Sequence, residues 1–71
     1  MNRLIHTSPE RVTRNGARAS AKVWFDSDHR EFTVLPILNG VGRHTAAYFT
    51  DDREDALLTA ARIVVELSDR H

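Results

Sequence analysis

Cysteine is absent from this chain, so no disulfide can brace the fold and no thiolate can hold zinc. Long hydrophobic runs are absent too. No stretch approaches the roughly 20 apolar residues that a bilayer-spanning helix needs. At the N-terminus, polar residues interrupt Met1-Asn2-Arg3-Leu4-Ile5-His6 before a signal-peptide core can form. The expectation is a cytoplasmic protein with no membrane partner. Neither sign of charge is in excess, with ten Lys and Arg against ten Asp and Glu. A strongly basic nucleic-acid binder would carry a surplus.

Catalytic signatures are missing as well. No helix begins after Asn39-Gly40-Val41-Gly42, so this is not a phosphate-binding loop. Ser8, Ser20, Ser27 and Ser68 lack the flanking residues that activate a nucleophile. His6, His29, His44 and His71 include no pair three or four residues apart, as a helical metal pair requires. Asp26-Ser27-Asp28 before Glu31 has acids in number but neither the glycine nor the terminal glutamate of a calcium loop. Asp and Ser favour turns for local hydrogen-bonding reasons. The expectation is a protein that is not an enzyme and holds no cofactor or metal.

What is present is a globular composition, 41% hydrophobic and 28% charged, in 71 residues, enough for a single α+β domain over 1–71. Charge is uneven along the chain. Residues 1–24 carry +4, residues 25–50 carry −1 and residues 51–71 carry −3. Such polarity steers a charged partner unless the two ends lie close and neutralise.

Asn15-Gly16 and Asn39-Gly40 each predict a two-residue type I′ hairpin turn, because Asn and Gly tolerate positive φ. Arg14 would then face Ala17, and Leu38 would face Val41. From Arg18 to Phe25 the residues alternate, with Ala19, Ala21, Val23 and Phe25 on one face. Phe32, Val34 and Leu38 share a parity in the next strand, and the second turn sets Phe32 opposite Ala47 and Val34 opposite Thr45. Pro36 cannot donate to a ladder, so its strand should bend there or end by Leu35 and project past its neighbour, with Gly42 absorbing the distortion. Residues 1–9 read either as a flexible arm or as a short extra strand from Arg3 to His6.

The C-terminal helix is the plainest element. Asp51 is placed as N-cap with Glu54 three residues on, and acids crowd the first turn. Leu57, Ala60, Ala61, Val64 and Leu67 recur at helical spacing, with Leu58, Ile63 and Val65 widening the stripe. Arg62–Glu66 and Glu66–Arg70 are spaced to pair. The architecture expected is an antiparallel β-meander of three to four strands packed on one C-terminal α-helix.

The sheet face away from the core carries the functional interest. Continuing the two turns places Arg11, Thr13, Arg18, Ser20, Lys22 and Trp24 there, joined by Thr33, Leu35, Ile37, His44 and Tyr48. Trp24, Leu35, Ile37 and Tyr48 would anchor a protein partner, with Arg18 and Lys22 at the rim. The alternative is nucleic-acid binding through Arg11, Arg14, Arg18 and Lys22, with Trp24 stacking on a base. A homodimer through the helix flank is a further expectation, because a core this small needs support.

The segment Tyr48-Phe49-Thr50-Asp51-Asp52-Arg53-Glu54-Asp55-Ala56-Leu57-Leu58-Thr59-Ala60 resembles the C-terminal part of small phage- and prophage-encoded proteins. That class includes anti-CRISPR and other host-takeover inhibitors. The resemblance implies a compact inhibitor or adaptor that occludes a host protein, and it carries over no catalytic residue. A second similarity is to the N-terminal sheet and helix of HicB-type antitoxins, where a further strand follows the helix; no such strand lies between this helix and His71.

Overall fold

The computed structural model describes residues 2–70. Met1 and His71 lie outside them, as does the side chain of Arg70 and with it the expected Glu66–Arg70 pair. The chain forms strands β1 (Asn2–Thr7), β2 (Arg11–Val12), β3 (Arg18–Asp26), β4 (Glu31–Leu38), β5 (Val41–Gly42) and β6 (Tyr48–Thr50), then helix α1 (Arg53–Arg70). All strand pairs are antiparallel, and β1 and β2 line one side of β3 while β5 and β6 line the outer side of β4. The six strands thus make a four-stranded meander whose two edge strands are each broken in the middle. Residues 2–7 are strand, which decides the alternative left open at the N-terminus.

The core lies between the central strands and α1. Ala21, Val23 and Val34 meet Ala56, Ala60 and Val64, with Ile5, Phe32, Leu57 and Ile63 packed around them. Its largest fully buried side chains are only Val23 and Val34. Small residues on both layers let the helix sit close to the sheet. The helix stripe is therefore rotated from the expected one: Ala56 is buried, whereas Ala61 is exposed. Phe25 and Phe32 face each other across β3 and β4 with ring centroids 4.8 Å apart.

The helix cap moves by one residue. Asp52, not Asp51, is the N-cap: its Oδ1 accepts from the N–H of Glu54 at 2.9 Å and of Asp55 at 3.4 Å, and its C=O accepts from Ala56 at 3.0 Å. Asp52→Ala should cost about 1 kcal/mol in chemical denaturation, and Asp51→Ala only a few tenths. Equal losses would contradict this cap.

The three tight connections differ. Asn39-Gly40 forms the expected two-residue turn, with φ of 54° and 81° and Leu38 opposite Val41. At Asn15-Gly16 the turn is one residue longer. Thr13 donates its N–H to Ala17 O at 2.8 Å and accepts from Ala17 N–H at its Oγ1, so Arg14, Asn15 and Gly16 form the loop with Gly16 at φ 81°. Thr13 faces Ala17, and Arg11 faces Ala19. A one-residue change of register moves alternate side chains to the other face, so Arg11 and Thr13 belong to the helix side. Between β3 and β4, Asp26 closes the turn by accepting from the N–H of Asp28 at 3.0 Å, and Arg30 takes φ 50°.

Pro36 sits inside β4 without interrupting its pairing with β3. β3 and β4 pair without a shift from Asp26–Glu31 to Ala19–Leu38. On the other side, Arg43 N–H donates to Pro36 O at 2.8 Å. The reciprocal bond of such a pair would need an N–H that proline lacks. The defect therefore falls on the edge strand, which leaves the sheet after Gly42, passes through a 3-10 turn at His44–Ala46 and returns as β6. β6 pairs Phe32 with Thr50, Thr33 with Phe49 and Val34 with Tyr48. The expected partners Ala47 and Thr45 are displaced by three residues. An odd displacement exchanges the faces of β6.

Candidate functional site

The sheet face away from α1 is read from the pairing. One row crosses all four strands: Leu4, Trp24, Thr33 and Phe49. The next row holds Thr7, Lys22 and Leu35. A cleft of about 560 Å³ opens over these rows. Trp24, Thr33 and Leu35 form its floor on the central strands. Asn2 stands on the β1 side, and His44, Ala47 and Phe49 come from the edge where the chain leaves and rejoins β4. Phe49 is 57% exposed and Leu4 41%. The lining is mostly apolar, with Asn2, Thr33 and His44 as its polar groups.

The exchanged faces of β6 rewrite the expected anchor set. Tyr48 lies on the helix side, where its hydroxyl donates to Asp55 Oδ2 at 2.7 Å. Phe49, assigned from sequence to the core, takes its place on the open face. Ile37 keeps the expected parity but is only 8% exposed, so it is a buried support rather than an anchor. Its partner across the edge is Gly42, where a Cβ would meet Leu35 Cδ2 at 3.0 Å and His44 Nε2 at 3.5 Å. Glycine there lets Leu35 and His44 close over the strand. Trp24 and Leu35 are half-buried at the cleft, Lys22 is beside them and Arg18 is exposed at the start of β3.

The alternative nucleic-acid set is divided by the fold. Arg18, Lys22 and Trp24 share the open face, but Arg11 faces the helix side and Arg14 lies in the hairpin loop. Acids share that face too. Asp26 and Glu31 pair at the end remote from Arg18, so the face runs from basic to acidic along its strands. His29 Nδ1 lies 2.8 Å from Asp26 Oδ2, and this hydrogen bond holds the Asp26 carboxyl below the usual carboxylate range.

The Tyr48–Asp55 bond ties the edge strand to the first turn of α1. It lowers the Asp55 pKa, helped by a hydrogen bond from Thr50, and raises that of the Tyr48 phenol. A carboxylate depressed on folding stabilises above its unfolded pKa, and this contribution is lost as pH falls through the folded value. A phenol raised on folding stabilises below its unfolded pKa and loses that contribution as pH rises through the folded one. Tyr48→Phe should therefore flatten the stability profile at both the acid and the alkaline limb. An unchanged pH–stability curve would show that the bond does not contribute.

Sequence reasoning missed Leu4 and Phe49. Leu4 follows once residues 2–7 are strand. Phe49 follows only if the edge strand breaks at the Arg43–Pro36 pair, for which Pro36 was the available signal. Among the described residues, no helix is long and apolar enough to cross a membrane. No protein-family model, no curated protein and no solved structure matches this chain.

Proposed function

We propose that this chain is a non-enzymatic protein-binding module. It works in the cytoplasm and uses its open sheet face to occlude a surface of a partner protein, as a phage-type inhibitor or adaptor would. One observation carries the reading. Among the described residues the helix-side core has no fully buried side chain larger than valine, while Trp24, Phe49, Leu35 and Leu4 gather on the uncovered face around the cleft. Large apolar and aromatic side chains ringed by charge are the ordinary make-up of protein interfaces. Arg18 and Lys22 form one rim of this surface.

The test is affinity capture from host lysate with the wild-type chain and with Trp24→Ala, each with and without nuclease. A protein retained after nuclease and released by Trp24→Ala supports the reading. A partner held equally by the variant overturns it. A bound pool that vanishes with nuclease and falls steeply with salt transfers the function to nucleic-acid binding through Arg18, Lys22 and Trp24.

A further inference from the structure

We infer that a second copy of this chain covers the open face, the two sheets stacking about a two-fold axis that runs across the strands. The inference rests on reading that face as a protein-contact surface: the second copy covers it in the free protein, and a foreign partner takes its place on binding. The first reason is the thin core. A chain of 71 residues without cysteine, whose largest fully buried side chains are Val23 and Val34, lacks the usual staples of so small a scaffold. Association is the remaining common support.

The second reason is that the face is complementary to itself. On β3 Lys22 lies two residues to one side of Trp24, with Arg18 further out, and Asp26 with its partner Glu31 lies two residues to the other side; Leu4 and Phe49 share the Trp24 row, and Leu35 pairs with Lys22. A two-fold axis across the strands reverses one copy along the strand direction. With the axis over the Trp24 row, Lys22 of each copy meets the Asp26 and Glu31 side of the other, and the two rows of Leu4, Trp24 and Phe49 meet. An axis along the strands would set like charges together. Zero net charge adds no general repulsion between copies. Such a contact is isologous and closed, so it ends at the dimer and leaves α1 outermost on both sides. The exposed helix pair Leu58 and Val65 offers less apolar surface and no aromatic residue.

The test is sedimentation over a concentration series, with the emission of Trp24, the chain's one tryptophan, followed in parallel. The expected result is a monomer–dimer equilibrium in which emission shifts to the blue as the dimer forms. Lys22→Glu and Glu31→Lys should each weaken self-association about tenfold or more. An equimolar mixture of the two should restore it, because both contacts between positions 22 and 31 in the mixed dimer then join opposite charges. Circular dichroism identifies a variant that fails to fold, and Arg18→Glu then replaces Lys22→Glu. Leu58→Glu should leave the dimer intact. A wild-type chain that stays monomeric at every concentration overturns the inference. So does a dimer dissolved by Leu58→Glu, or a mixture that fails to reassociate. A monomer that still captures a protein through Trp24 overturns the dimer and leaves the contact-surface reading standing. A dimer with no Trp24-dependent foreign partner does the reverse for the occlusion of another protein.

Discussion

Ala60→Leu should destabilise the protein by on the order of 2–3 kcal/mol. Ala60 is fully buried, as is Ala56 one turn earlier, and both pack on Ala21, Val23 and Val34. The helix approaches the sheet over a bed of methyl groups. Leucine adds three carbons at a fully buried position facing a fully buried bed of Ala21, Val23 and Val34, so the helix must lift or the side chain must leave its preferred rotamer. Helix propensity is not at issue, because leucine is nearly as good a helix former as alanine. In a domain of this size each kcal/mol moves the melting temperature by about 4–8 °C, so a fall of about 10 °C or more is expected in thermal unfolding. Leu58→Ala is the control: Leu58 is 61% exposed, and its loss should stay near ~0.5 kcal/mol. If Ala60→Leu melts with the wild type, the close approach of helix and sheet is not a constraint.

Trp24→Ala should lower affinity for the partner by about 100-fold, the effect of losing a central aromatic anchor worth ~2–3 kcal/mol. The fold should persist. The indole stands on the face opposite α1 and belongs to no part of the helix-side core. Its removal should cost about 1 kcal/mol from lost contact with the cleft floor. Titration calorimetry or surface binding against the captured partner gives the first quantity, and denaturation gives the second. Loss of folding would make Trp24 a core residue and end its role as an anchor. Phe49→Ala should behave alike with a smaller loss, since Phe49 stands at the cleft margin. Tyr48→Ala should leave affinity nearly unchanged, and it separates this face from the one read from sequence.

The parts of the fold that were legible rest on local rules. Alternation from Arg18 to Phe25 and from Phe32 to Val34 gave the right faces for the two central strands, because the period of two belongs to the backbone itself. Asn39-Gly40 turned as expected. The strand-then-helix order of residues 48–70 was plain, and only the capping residue moved, because two adjacent aspartates offer the same chemistry and the position of Thr50 decides between them: its Oγ1 accepts the Asp52 N–H at 3.2 Å. The candidate site was legible where it lies on β3 and β4, at Trp24, Leu35, Lys22 and Arg18.

The edges were not legible, and the reason is arithmetic as much as chemistry. One additional residue in the Arg14–Gly16 loop turned Arg11 and Thr13 to the helix side. Three residues inserted after the Arg43–Pro36 pair exchanged Tyr48 for Phe49. Both changes are odd numbers, and in a strand an odd number inverts the face. Sequence by itself determined the class of fold, the two central strands, the amphipathic helix and the presence of more large apolar residues than one thin core can take. Only the tertiary structure decided where the edge strands break. That outcome depends on which side of β4 the missing Pro36 N–H faces, a relation between strands that no single segment contains.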